Sequence, residues 1–188
     1  EVEVGESRES LRALQSSRIR VQALLDGREP RFGSLETEAP DLVREERRLW
    51  LAARSEADAS IAALAEGVRR RAGELAEAQS RIPVLESVLA SSRESLQIEE
   101  RLVAEGAGAK ADLLTARQRF LQQQGELSAL RDSLPRLTAG LAEARAQQAE
   151  QTARTRAQWG AQRTEIEGKL QTMQATVRGR EDKLARRV

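Results

Sequence analysis

The feature that most constrains this chain is a register shared by two stretches of its sequence. Apolar side chains recur every seven positions at Ile61, Val68, Leu75, Ile82, Leu89, Leu96 and Val103. A second series of the same period runs through Leu113, Phe120, Leu127, Leu134 and Leu141. A seven-residue apolar repeat is the seam of a left-handed coiled coil. Paired as 103 with 113, 96 with 120, 89 with 127, 82 with 134 and 75 with 141, the residue numbers always add to 216. One antiparallel hairpin folded about residue 108 must show that constant, and two unrelated helices have no reason to. Residue 108 is a glycine, lying in the break Gly106, Ala107, Gly108.

The remaining punctuation fills in the topology. Residues 1–27 predict helix 1, with Leu11, Leu14, Val21, Leu24 and Leu25 at helical spacing and Gly27 as its stop. Residues 28–40, rich in Pro and Gly, predict a loop; 41–105 predict helix 2, 106–109 the tip turn and 110–188 helix 3. The expected fold is all-α: a long antiparallel two-helix coiled-coil hairpin with an additional N-terminal helix packed at its base, in one domain spanning 1–188. Beyond Leu141 the partners of Val68 and Ile61 become Gln148 and Thr155, so the seam weakens. Apolar spacing then returns in a shifted phase at Trp159, Ile166, Leu170, Met173, Val177 and Leu184. A phase shift signals a change of supercoil or a further helix joining, and helix 1 is the available partner. At about 1.5 Å per residue, the arm from residue 108 to the C-terminus would be roughly 120 Å long, the length of a spacer. Pro83 and Pro135 add to 218, placing both at nearly one height, where a bend or soft joint is expected.

Composition excludes whole classes of function. The 188 residues include no His and no Cys, which removes the usual zinc sites, Ser-His-Asp and Cys-His nucleophile pairs and any imidazole switch. With 2% aromatic residues, a core of ordinary density would lack large side chains to fill it. No catalytic residue, cofactor or metal ligand set is expected. The net charge of +1 comes from 31 Lys and Arg interleaved with 30 Asp and Glu, the opposite of a nucleic-acid footprint. Clusters such as Glu45, Glu46, Arg47, Arg48 read as ordinary solvated helix faces. Trp50 and Trp159 read as packing residues of a wider helical base.

Four segments resemble a known family: FGSLETEAPDLVREERRLWLAARSEADASIAAL at 32–64, ERLVAEGAGAKADLLTARQRF at 100–120, GELSAL at 125–130 and EDKLARRV at 181–188. In their order and spacing they are similar to the helical region of the haemolysin-D-type membrane fusion proteins, the periplasmic adaptors of bacterial type I secretion systems. The resemblance implies a hairpin inserted between two halves of a lipoyl-like β domain, preceded in the full-length protein by an inner-membrane anchor. It further implies a ring of neighbouring adaptor subunits, usually hexameric, that joins an inner-membrane ABC transporter to a TolC-like outer-membrane channel met by the hairpin tip. On that reading the chain is the hairpin alone, and the expected tip surface is Leu102, Glu105, Gly106, Ala107, Gly108, Ala109 and Lys110. The family's tip motif is an Arg, a Leu four residues later and a Ser seven beyond that. Leu102 matches it, whereas Ile98 stands at the Arg position and Ala109 at the Ser position. The heptads alone fit an intracellular structural scaffold equally well, and the tip and base segments favour the adaptor. An amphipathic bundle that opens on lipid is the weaker third reading, because the apolar stripe is narrow and poor in aromatics.

Overall fold

A computed structural model describes the backbone of residues 2–185 and the side chains of 5–180. It holds four helices: α1 (Val2–Asp26), α2 (Leu35–Glu38), α3 (Pro40–Ala104) and α4 (Lys110–Ala185). The side chains of the C-terminal segment 181–188 that contributed to the resemblance, Leu184 among them, and the end of the expected helix 3 at 186–188 lie outside these described residues. The segment 28–40 differs from the expected loop at two points. Leu35–Glu38 form one helical turn, and Pro40 opens the next helix. The reason is burial: Phe32 and Leu35 are 3% and 7% exposed and form one cluster with Val43, against which Ile19 packs. Such anchors hold a Pro- and Gly-rich segment in one conformation against its chain entropy.

The chain divides into two units. The first comprises Glu1–Ala63 and Gln148–Val188 and contains α1, α2, the start of α3 and the end of α4. Helix α1 ends in a Schellman motif, with the Gly27 N–H donating to the Leu24 carbonyl at 3.3 Å, the Arg28 N–H to the Ala23 carbonyl at 3.0 Å, and Gly27 at φ +68°. Its buried face carries Val21, Ala23 and Leu24, all at most 4% exposed, and Leu170 and Val177 of α4 are also buried. A cleft of about 270 Å³ lined by Leu24, Ala57, Ile61, Thr155 and Trp159 brings α1, α3 and α4 together in this unit. Along α4 the inward positions read 148, 151, 155, 159, 163, 166, 170, 173, 177, so the alternation of threes and fours is interrupted by consecutive fours around 155–163. That is a stutter, which locally unwinds a coiled coil, and it coincides with Trp159, where α1 joins.

Polar links also tie α1 down. Ser17 Oγ donates to Glu46 Oε1 at 2.7 Å and Arg20 Nε to Glu46 Oε2 at 2.5 Å. Arg163 of α4 donates to Gln22 Oε1 at 3.3 Å and Arg180 to Ser7 Oγ at 2.6 Å. Glu46 is only 5% exposed, so the cluster 45–48 is not the uniformly solvated face its sequence suggested. Glu45 and Arg48 form an exposed pair with each other, and Glu46 turns inward to α1.

The second unit, Leu64–Gln147, is the two-stranded antiparallel pair of α3 and α4. Ile82, Leu89, Leu96 and Val103 face inward half-buried, as do Leu113, Phe120 and Leu134, while Leu127 and Leu141 are 4% and 7% exposed. Between these layers lie Ala78, Leu85 and Ser92 on α3 and Gln123, Leu130 and Leu137 on α4, also turned inward. Two ion pairs bridge the helices along one face, Glu86 with Arg131 and Glu100 with Arg117. Both pairs of numbers add to 217, one residue from the seam constant. On the same face the Arg93 guanidinium lies 5.7 Å from the centre of the Phe120 ring, a cation–π contact. α3 and α4 run without interruption through Pro83 and Pro135. Both prolines, and Gln79 and Arg131 four residues before them, are exposed, so the carbonyls deprived of an N–H partner face water.

Candidate functional site: the hairpin tip

The turn between α3 and α4 is assembled almost wholly from backbone. α3 ends in a second Schellman motif: the Gly106 N–H donates to the Val103 carbonyl at 3.1 Å and the Ala107 N–H to the Leu102 carbonyl at 2.8 Å. Gly106 takes φ +74°, where an L side chain costs about 1–2 kcal/mol. The Leu102 carbonyl accepts a second bond, from the Gly108 N–H at 2.9 Å. This draws residue 108 so close that an added Cβ would lie 2.9 Å from both Leu102 Cβ and the Val103 nitrogen. Gly108 is therefore a close-approach glycine and Gly106 a left-handed one, two different demands in a three-residue break.

α4 then starts on the Ala109 carbonyl, which accepts from the N–H groups of Asp112 at 3.2 Å and Leu113 at 3.3 Å. Ala109 brings no side-chain oxygen to the exposed N–H groups of that first turn. Asp112 in the first turn of α4 and Arg101 in the last turn of α3 place charges that complement the two helix dipoles.

The seven residues expected at the tip are brought together here. Leu102, Glu105, Gly106, Ala107, Ala109 and Lys110 are exposed and Gly108 is half-buried. Leu102 is 36% exposed beside the half-buried seam residue Val103, so its apolar side chain is available at the surface while its carbonyl holds the turn. The surface is also broader than the sequence suggested. Ile98, Leu114 and Leu121 are 42%, 59% and 56% exposed, and the signal that could have found them is apolar residues lying off the heptad seam close to the glycine break. No group of three or more acidic residues able to hold a metal ion occurs among the described residues, and no helix there is long and apolar enough to cross a membrane. Trp159 lines the cleft against α1, and Trp50 is half-buried with no hydrogen-bond partner for its indole nitrogen.

Residues 1–183 match a family model described as AprE, long alpha-helical hairpin. The chain belongs to this family. A solved structure, the soluble domain of LipC, described as a membrane fusion protein of a type I secretion system, superposes with a TM-score of 0.86 at 14% identity, covering 100% of this chain and 91% of that one. At that identity the likeness is one of fold. Among curated proteins nothing matches significantly. Both positive comparisons agree with the membrane fusion protein resemblance carried by the sequence. Within the AprE hairpin family the tip described above is this member's version of the turn, closed by backbone bonds and flanked by exposed apolar side chains.

Proposed function

We propose that this chain is the periplasmic helical arm of a type I secretion adaptor, which reaches a TolC-like outer-membrane channel through the tip residues Leu102 and Glu105 to Lys110. The rest of the full-length protein would anchor it to the inner membrane and engage an ABC transporter, with neighbouring adaptor subunits alongside. Its role is mechanical and not catalytic. The observation that carries the reading is the tip itself, in a chain of the AprE hairpin family. Every turn carbonyl that closes it is satisfied by backbone, so the outward side chains are left free for a partner.

A cysteine at Ala107 in the full-length protein, labelled with a short heterobifunctional crosslinker, tests the docking. This chain has no cysteine of its own, so within the arm the reagent reports one position. Capture of the outer-membrane channel during export is the expected result. Capture of a cytoplasmic protein, or secretion unaffected by tip substitutions in a folded chain, would overturn the reading.

A further inference from the structure

Two arginines of the first unit are left without a counter-charge. Exposed arginines elsewhere in the helices pair with an acidic residue three or four positions away, as Arg48 does with Glu45 and Arg154 with Glu150. The positions three and four either side of Arg18 hold Leu14, Gln15, Val21 and Gln22, and neither Arg18 nor Arg31 has an ion-pair or hydrogen-bond partner among the described residues. Both line, with Arg28, a cleft of about 360 Å³ whose apolar lining is Ile19, Ala23 and Pro30. Arg28 pairs with Asp26 at 2.8 Å, but its side chain is 66% exposed and Asp26 also accepts from Gln22 at 2.8 Å. Arg28 can therefore turn to a ligand without stranding that carboxylate. Of the acidic residues in the lining, Glu167 is engaged by Arg163 at 3.6 Å, which leaves Glu29 to oppose three guanidiniums.

The backbone that carries these side chains is fixed. Arg28 closes the Schellman motif of α1, and Pro30 and Phe32, on either side of Arg31, are buried. The cleft also continues. A second one, of about 400 Å³, shares Arg18 and Ile19 with the first and runs along α1 past Gln15 and Leu11 to Arg8, beside the segment that carries Phe32 and Leu35. In that part Arg12 is held by Glu38 at 3.3 Å, so the unpaired positive charge lies at the Arg18 and Arg31 end. From Arg8 to Ala23 the helix rises about 22 Å, the span of about seven residues of extended chain. A compact ion would use only one end of such a groove, whereas its length and the apolar side chains between its charges suit a chain-like ligand.

We propose that this groove binds an extended acidic peptide segment of a partner protein, with carboxylates on Arg18, Arg28 and Arg31 and apolar side chains over Ile19 and Ala23. Arginine suits the task, because its planar fork meets a carboxylate with two parallel hydrogen bonds. The inference goes beyond the adaptor reading and does not depend on what the tip meets. Its probe is a fluorescein-labelled octapeptide of alternating Asp and Leu, followed by anisotropy as detergent-solubilised full-length protein is added. Saturable binding is expected, weakened at least tenfold by Arg18→Gln combined with Arg31→Gln and unchanged by Arg70→Gln, an exposed arginine of the second unit. Far-UV circular dichroism and melting should be the same in all three proteins, since the substituted side chains hold no partner, so a loss of binding is not a loss of fold. Absence of binding, equal weakening by Arg70→Gln, or equal affinity for the Asn and Leu counterpart of the peptide would overturn the proposal. Displacement by inorganic phosphate beyond that caused by sodium chloride at equal ionic strength would overturn it in favour of a small-oxyanion site, and displacement by a soluble short-chain phosphatidylglycerol but not by phosphate in favour of a lipid headgroup.

Discussion

Glu46 offers the sharpest test of how the first unit is held. The residue is 5% exposed, its carboxylate accepts from Ser17 and Arg20 of α1, and the Arg20 and Glu46 side chains are 17% and 7% exposed. Glu46→Ala removes both bonds and leaves the Arg20 guanidinium desolvated with its counter-charge gone. Breaking a buried pair from one side costs about 3–5 kcal/mol. Arg20 keeps some solvent contact and a flexible stem that can carry its head outward, which lowers the expectation to about 2–3 kcal/mol. At roughly 2–4 °C per kcal/mol for a chain of this size, melting followed by circular dichroism should fall by about 4–12 °C. Glu150→Ala is the control, since its pair with Arg154 is 59% and 70% exposed and such pairs contribute about 0–1 kcal/mol. The cycle with Arg20→Ala supplies the sign: the double variant should be less destabilised than the sum of the single ones, because removing Arg20 relieves the unpaired charge. Additive losses, or a Glu46→Ala melt indistinguishable from Glu150→Ala, would show that the pair does not hold α1.

Leu102→Asp should leave helicity and melting within about 0.5 kcal/mol of the parent, as exposed substitutions usually do, yet sharply reduce secretion by the full-length protein, whereas Leu75→Asp in the seam should unfold part of the arm. Normal secretion by a folded Leu102→Asp protein would remove this leucine from docking. Replacing Pro83 and Pro135 by Ala restores two ladder hydrogen bonds and should raise stability by up to about 3 kcal/mol per site, read as a higher melting temperature; an unchanged melt would mean that the helices have already absorbed them. Ser92 and Gln123 turn into the same level of the seam, and neither Ser92 Oγ nor Gln123 Oε1 has a hydrogen-bond partner in the protein, so Ser92→Ala with Gln123→Leu should stabilise by about 1–2 kcal/mol, checked by urea denaturation. Hydrogen bonds from Arg48 and Lys169 hold the Glu45 and Glu165 carboxyls below their usual range. A depressed folded value gives stability that is present above the unfolded value and lost as pH falls through the folded one. With no histidine in the chain, melting should be flat through neutrality and fall only in acid, and a step near neutral pH would contradict this.

What could be read from the residues alone followed the strength of each physical signal. The heptads from Ile61 to Leu141 and the glycine break report the α3–α4 pairing because a seven-residue period is repeated many times over. The stop at Gly27 is equally legible, since a left-handed terminus selects glycine. The alternate seam layers were not, because Ala78, Ser92 and Gln123 are small or polar and look like surface positions. Glu46 was hidden inside a run of charges, where only the approach of Ser17 and Arg20 distinguishes it from Glu45. Phe32 and Leu35 sit in a segment whose prolines and glycines announce a loop, and tertiary burial overrode that local preference. At the tip, the glycines reveal a turn but not their different duties, which appear only when the Leu102 carbonyl is found accepting twice.

The same packing limit explains both the thin seam and the apolar flanks of the second unit. Two helices can bury only a stripe each, so Leu89 and Leu96 remain half-exposed even at the centre of the pairing. Further apolar residues added to such a pair cannot enter the seam, because its positions are already taken. Val88, adjacent to Leu89, is consequently 40% exposed, and Leu114, adjacent to Leu113, is 59% exposed. Isolated surface leucines are common and need no explanation, but on α3 they are aligned with serines and kept clear of charge over almost three heptads. Removing that stripe from water requires a surface outside the hairpin, and each residue so covered gains by transfer about what a seam residue gains, at roughly 25 cal/mol per Å². The interhelical seam and the flanks are thus two parts of one apolar inventory, the first used when the hairpin folds and the second left at its surface.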